Sequence, residues 1–233
     1  AQLSYYGLLA QQHRGQEGSG IVTSEFDTTQ QRYRFHLHKG VGLVDDVYSD
    51  RSLLTETLRG TSAIGHNRYS TAGSSVMKNV QPIVANFALG TLAIAHNGNL
   101  VTATELRNSL EDEGAIFQSS SDSEVIVHLI AHSKGNEFYE RVAHAVTQIS
   151  GSFSLLIMRE KEMIAIRDPY GVRPLSLGMK DGAYVVASET CAFDLIGATY
   201  VRDVEPGEIL IINEQGLESI KIFIKCQVFS FET

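Results

Sequence analysis

Apolar positions recur at helical spacing in the first segment of the chain. Leu3, Tyr6, Leu9 and Ala10 share one face, which predicts a helix over residues 3–12, broken by the glycines of 15–20. Short apolar runs at 21–24 and 33–38 read as a strand pair joined by a turn at 26–31. Residues 50–58 read as a short helix capped by Ser49 or Asp50 and stopped near Gly60. The stretches 61–68 and 91–97 are apolar runs that end in polar loops, and both read as buried strands that deliver their last residues to a site. Three helices are predicted next, over 102–113, 122–133 and 138–149, the first opened by a Thr102–Glu105 capping-box pattern. After Ser152 the rhythm shifts to strands at 153–158, 163–166, 175–177, 184–187, 209–212 and 219–223, with turn signals at 180–182 and 214–216 and a short helix over 189–196. Helices mixed with late antiparallel hairpins predict an α+β layered domain. No linker, repeat or low-complexity tract divides it, so one domain is expected.

Composition narrows the class of function. With 43% hydrophobic residues in 233, the chain can build a substantial core and is not a disordered segment. The net charge of −8, without any basic block, argues against a nucleic-acid partner. No apolar run approaches the ~18 residues of a membrane span, and the start has no signal-peptide pattern. A cytoplasmic protein is the expectation. Cys191 and Cys226 make neither a disulfide framework nor a zinc site, and a reducing compartment fits them. The first residues lack an initiator Met and read as mid-domain sequence, and the last ones stop inside an apparent strand. The reading therefore expects further sequence on both sides.

Chemistry concentrates in loops that follow buried strands. Arg68 ends one of them, where a guanidinium either grips a carboxylate through two parallel hydrogen bonds or makes a structural ion pair. Asn97–Gly98 ends another. It reads either as a hairpin turn or as an oxyanion hole in which a side-chain amide and a backbone N–H meet one developing negative oxygen. Asp122 follows three serines at a helix start, as an N-cap or as a carboxylate for a substrate ammonium. Residues 13–17 and 167–174 are charged, glycine-containing turns that read as structural latches. His66 and His96 lack metal-ligand spacing and read as hydrogen-bonding histidines, and Cys191 as a small core residue.

Six of these segments occur together and in order. They are Gln11-Gln12-His13-Arg14-Gly15-Gln16-Glu17, Arg68-Tyr69-Ser70-Thr71, His96-Asn97-Gly98-Asn99, Ser120-Ser121-Asp122-Ser123-Glu124, the 167–174 turn, and Val204-Glu205-Pro206-Gly207-Glu208. From residue 1 to about 223 the chain resembles the glutaminase domain of the amidophosphoribosyltransferase family. Amino-sugar-synthase relatives prefer Trp after the Arg, so Tyr69 fits the purine enzymes better.

The resemblance implies an N-terminal nucleophile hydrolase-like fold, a four-layer α/β/β/α sandwich with antiparallel sheets. It implies glutamine as ammonia donor, for phosphoribosylamine formation from phosphoribosyl pyrophosphate in the first step of purine synthesis. By the same resemblance, Arg68 holds the glutamine α-carboxylate, helped by Thr71, and Asp122 holds the α-ammonium. Asn97 and Gly98 form the oxyanion hole. The family's nucleophile is a Cys at the mature N-terminus, whose own α-amine is the general base. Position 1 here is Ala1, and neither Cys191 nor Cys226 carries a free α-amine. The chain by itself is therefore expected to bind glutamine weakly and not to hydrolyse it.

The expected organisation is a glutaminase domain over residues 1–223, without its first strand and nucleophile. Residues 224–233 would begin the connection to a phosphoribosyltransferase domain. No cofactor is expected in the glutaminase domain, whereas Mg²⁺ is expected in the phosphoribosyltransferase. Some family members ligate an iron–sulfur cluster through a Cys near Cys226. Homo-oligomers are the family's habit. Two other readings stand beside this one: a non-catalytic glutamine-binding or docking module, and a glutamine-using enzyme with a different acceptor.

Overall fold

The period-two pattern of residues 151–159 sets the layering. Phe153, Leu155 and Ile157 point one way along the strand, and Ser154, Leu156 and Met158 the other. The computed structural model describes residues 1–69 and 77–222. Its strands are β1 (Gly18–Asp27), β2 (Arg32–Val41), β3 (Ser62–Arg68), β4 (Ile83–Phe87), β5 (Gly90–Leu100), β6 (Gly151–Arg159), β7 (Glu162–Arg167), β8 (Ser176–Lys180), β9 (Ala183–Ala187), β10 (Thr199–Asp203), β11 (Glu208–Asn213) and β12 (Gly216–Lys221). Its helices are α1 (Gln2–Ala10), α2 (Val44–Val47), α3 (Ala103–Asp112), α4 (Ser123–His132), α5 (Phe138–Val146) and α6 (Cys191–Ile196).

A six-stranded antiparallel sheet, ordered β12-β11-β7-β6-β5-β4, forms the second layer. Phe153, Leu155 and Ile157 on one face pack against Val125, Ile126 and Ile130 of α4 and Val142 and Val146 of α5. On the other face, Ala93, Ala95 and Met158 meet Val22 and Ile64 of a three-stranded sheet ordered β2-β1-β3. A second three-stranded sheet, β10-β8-β9, lies on the same face through Leu175, Leu177 and Leu210. Helices close the outside. Tyr5 and Leu8 of α1 and Val44 of α2 cover Ile21, and Phe193 of α6 covers Ala187. The result is the expected four-layer α/β/β/α sandwich, in which each sheet face that would be apolar in water is covered.

Several local expectations change. Residues 50–58 give only a 3₁₀ turn, Arg51–Leu54, held where the Ser52 N–H donates to the Asp50 carboxylate at 3.0 Å. The Thr102–Glu105 capping box does not form, because Thr102 Oγ1 accepts instead from the Ser150 N–H at 3.1 Å. A capping box does form on α5, between Glu137 and Glu140. Strands β4 and β10 escape the sequence pattern. The first is a half-buried edge strand interrupted by Asn86, and four of the five residues of the second are exposed.

The edges facing one another across the middle layer also matter. β3 ends one three-stranded sheet and β9 ends the other, and an open cleft of about 1150 Å³ separates them. Ala1, Ala63, Gly65, Leu156, Val185 and Ala187 are among its lining residues.

Candidate functional site

The alternation of β3 aims its last residues at β5. Ile64 is buried between the sheets, so His66 and Arg68 face the same way. Asn67 faces α1 instead, where its side-chain amide donates to the Leu8 carbonyl at 2.7 Å. Arg68 Nη1 donates to the Asn79 carbonyl at 2.6 Å, while its Nε is buried without a hydrogen-bond partner. The guanidinium is thus pinned at one corner, with donor capacity left over.

Asn97 and Gly98 are not a hairpin turn. They lie within β5, opposite Ser154 and Phe153 of β6. The Phe153 carbonyl accepts from the Asp168 N–H at 2.9 Å, on the side away from β5. In an antiparallel ladder this makes Gly98–Phe153 a non-hydrogen-bonded pair, so the Gly98 N–H points away from β6. β4 does not extend far enough to meet it. The Asn97 side chain has no hydrogen-bond partner among the described residues and lines the same cavity. Gly98 has no room for a side chain: a Cβ would stand 2.0 Å from the Ser152 carbonyl oxygen and 2.8 Å from His96 Nε2.

Asp122 sits at the start of α4 but makes no capping bond. Its carboxylate accepts from the Leu100 N–H at 3.2 Å and lies 3.6 Å from His96 Nδ1. Burial opposes its charge, yet the His96 ring and the Leu100 and Ser123 amides outweigh burial and hold the carboxyl below its ordinary range. The serines before it are fixed. Glu124 accepts from the Gln118 and Ser119 N–H groups, each at 2.7 Å, and Arg107 Nη2 donates to the Ser119 and Ser121 carbonyls. Sequence reading missed both anchors. A Glu five residues after the first serine of the loop was the available signal.

His66 Nε2 donates to the His96 carbonyl at 3.1 Å, which fixes the His66 tautomer. Burial first, then the neighbouring His96 and Arg68, push its pKa down to about 4, so the ring is neutral near pH 7. His96 shares a 3.0 Å hydrogen bond with Ser123 Oγ. Both histidines hydrogen-bond as expected. Cys191 is only partly buried, and burial together with Glu189 raises its pKa, which leaves it a poor nucleophile near pH 7.

The two charged turns are latches of a different construction. Arg14 pairs with Glu189, across 175 residues. Arg167 donates to the Arg173, Val204 and Gly171 carbonyls, and the fully buried Asp168 accepts from the Tyr170, Val172 and Arg173 N–H groups. The 167–174 turn is thus held by backbone clamps rather than by an Arg–Asp ion pair, whereas an ion pair latches the 13–17 turn as expected.

Arg68, Asn97, Gly98 and Asp122 all line one cavity of about 740 Å³, together with Asn79 and Arg173. A cation and an anion therefore face a shared space with unpaired amide donors between the sheets. Thr71 and Cys226, along with the rest of 70–76 and 223–233, lie outside the described residues. Among the described residues no cluster of three or more His, Cys, Asp or Glu could hold a metal ion. No helix among them is long and apolar enough to cross a membrane.

Comparison with known proteins identifies the family. The family model for the glutamine amidotransferase domain matches residues 66–194, more than half of the chain. The chain is 50% identical over 219 residues to the amidophosphoribosyltransferase of Bacillus subtilis (strain 168), covering 94% of this chain and 44% of the relative. It is also 50% identical, over 228 residues, to the chloroplastic amidophosphoribosyltransferase 2 of Arabidopsis thaliana, covering 97% of this chain and 38% of the relative. Its fold matches the glutamine phosphoribosylpyrophosphate amidotransferase from B. subtilis complexed with ADP and GMP. That match has a TM-score of 0.88 and 48% identity, over 96% of this chain and 47% of that one. The chain thus spans less than half the length of the relatives it matches. On the family model, these relatives and the N-terminal nucleophile hydrolase-like layering, the chain belongs to the glutamine amidotransferase domain family.

Proposed function

We propose that this domain takes ammonia from glutamine for an amidophosphoribosyltransferase, which passes it to phosphoribosyl pyrophosphate to form 5-phosphoribosylamine. The observation that carries the reading is the convergence of Arg68, Asp122 and the Asn97–Gly98 donors on one cavity. An α-amino acid needs a cation and an anion at its head group. Its amide carbonyl needs two donors where charge develops. All three requirements are met by residues held by their own backbone contacts, so little reorganisation accompanies binding.

The nucleophile in this proposal is a Cys at the mature N-terminus of the intact protein. Its thiolate attacks the glutamine amide carbon, and the resulting oxyanion is held by the Asn97 side-chain amide and the Gly98 N–H. The proton that the α-amine took from the thiol passes to the leaving nitrogen as the C–N bond breaks, releasing ammonia and leaving a thioester that water converts to glutamate and free thiol. The cleft between β3 and β9 supports this placement. Both bordering strands have an edge unpaired among the described residues, and an extended segment between them would join the two three-stranded sheets into one. Gly65 lines the cleft and the next residue, His66, lines the cavity, so the two lie on neighbouring positions of β3.

The intact enzyme is proposed to be cytoplasmic and homo-oligomeric, with Mg²⁺ serving its phosphoribosyltransferase part. Glutamate release by two forms of the protein tests the reading, one starting at Ala1 and one starting at the native N-terminus. Release only by the second supports it. Silence from both, with glutamine still bound, favours a non-catalytic binding module. Turnover by the form starting at Ala1 places the nucleophile elsewhere.

Asp122 carries a pH prediction. Its carboxyl titrates below the ordinary range, so the charged form needed for the ammonium persists at neutral pH. Glutamine affinity is expected to be full above that range and to fall as pH drops through the depressed pKa. Asp122→Asn should weaken glutamine binding about tenfold at pH 7, the worth of one partly exposed charge-assisted contact. It should also remove the acid limb from the calorimetric Kd–pH profile. An acid limb retained in the variant would move the ammonium site to another group.

A further inference from the structure

The six-stranded sheet has an irregularity beside its most functional strand. The β4–β5 ladder runs from Phe87↔Gly90 to Ile83↔Ile94 and stops. Continued in the same register, the next hydrogen-bonding position would pair residue 81 with His96, since antiparallel partners keep a constant sum of residue numbers. The main chain does not make that pair. The side chain of Gln81 makes it instead. Its Oε1 accepts from the His96 N–H at 2.7 Å, and its Nε2 donates to the His96 carbonyl at 3.2 Å. A primary amide carries the same donor and acceptor as a peptide unit, so Gln81 stands in for one rung of the sheet. His66 Nε2 adds a second donor to the same carbonyl at 3.1 Å.

This rung lies one residue before Asn97. The His96 carbonyl is the carbonyl of the His96–Asn97 peptide bond, so the clamp fixes the peptide plane that ends at the Asn97 Cα, from which the Asn97 side chain projects and to which the plane carrying the Gly98 N–H is joined. Gln81 is buried, and its carboxamide competes with no water for these bonds. Its own backbone is held close, with Gly20 packed on the Gln81 carbonyl so tightly that a Cβ there would stand 2.3 Å from the oxygen. The clamp is therefore anchored at both ends.

We propose that Gln81, assisted by His66, is a positioning residue for the oxyanion hole. It replaces the missing strand rung so that β4 can end early, leaving the Gly98 N–H unpaired by backbone and open to substrate. The inference rests on the glutaminase reading of the Asn97–Gly98 donors. It predicts that disturbing the clamp lowers the rate of the chemical step and leaves head-group binding nearly untouched, because Gln81 touches neither Arg68, held by the Asn79 carbonyl, nor Asp122, held by the Leu100 N–H and by a His96 ring whose backbone keeps its place in the β5–β6 ladder.

The test is glutaminase kinetics on the intact protein with its native N-terminus, for wild type, Gln81→Met and Gln81→Glu. Met keeps the length and shape of the side chain and makes neither bond. Glu keeps the acceptor for the His96 N–H and loses the donor to its carbonyl. Expected is a fall in kcat of roughly tenfold or more for Met, with KM within about twofold of wild type, and a smaller kcat loss for Glu. A kcat for Gln81→Met within about twofold of wild type overturns the inference. So does a loss shared equally by kcat and glutamine affinity, which is the mark of general loosening. If Gln81→Met does not fold, the Glu variant decides alone by the same split. Wild-type inactivity would sink the glutaminase reading itself, which keeps the two failures apart.

Discussion

Replacing Asn97 by Ala in the proposed intact enzyme is expected to lower kcat for glutamine hydrolysis by about 10²–10³, the usual loss for one oxyanion-hole donor. The argument starts from the position of the side chain. Asn97 is in the middle of a regular ladder, opposite Ser154, so its backbone is fixed whatever side chain it carries. Its carboxamide has no protein partner among the described residues, so none of their contacts depends on it. The residue is also only half-buried, and its truncation leaves no closed cavity. Stability should therefore change little, and the loss should appear in the chemical step. The substrate's neutral carbonyl makes a weak bond to the amide, whereas the oxyanion makes a strong one. Only the difference enters kcat. KM is expected to stay within about threefold. Steady-state glutamate release with a parallel thermal melt checks both halves. A variant with wild-type kcat would remove Asn97 from the oxyanion hole and leave the Gly98 N–H without its proposed companion.

The degree to which the sequence revealed this site differs from residue to residue, and the reasons are physical. The run ending at Asn97 was legible as a buried strand because residues 92–96 are buried on both faces, whereas in the strand ending at Arg68 only Ile64 is buried and the apolar stretch is short. The layering followed from the change of rhythm after residue 152. Short or exposed strands were not legible, because β4 and β10 have too few buried positions to leave a period. Turn chemistry misled in one place. Asn–Gly is a strong hairpin signal by local preference, yet here the glycine is required by the Ser152 carbonyl and the His96 ring, which come from 54 and two residues away. Capping signals misled in two more. Thr102 spends its hydroxyl on Ser150, and Asp122 turns its carboxylate toward Leu100 and His96 rather than its own helix. Long-range partners of this kind leave no local trace, and neither does the amide rung of Gln81. The motif order carried the functional reading where local rules did not.

Arg68→Ala is expected to raise KM for glutamine by about two orders of magnitude, roughly 2–3 kcal/mol, with kcat changed far less. The α-carboxylate is remote from the reacting amide and carries the same charge in ground and transition states, so a contact to it stabilises both alike and appears in KM. The size follows from geometry. Arg68 Nη1 is already committed to the Asn79 carbonyl, which holds the guanidinium plane still, and its Nε remains buried without a partner. A donor in that condition costs free energy until an anion meets it, so the free protein is poised for a carboxylate. Arg68→Lys should recover only part of the loss, because a single ammonium cannot both hold the Asn79 carbonyl and fork onto a carboxylate. Calorimetric Kd values for glutamine should follow the KM values across both variants. If KM stays near wild type while kcat falls, Arg68 acts on the reacting end, and the polarity of substrate in the cavity must be reversed.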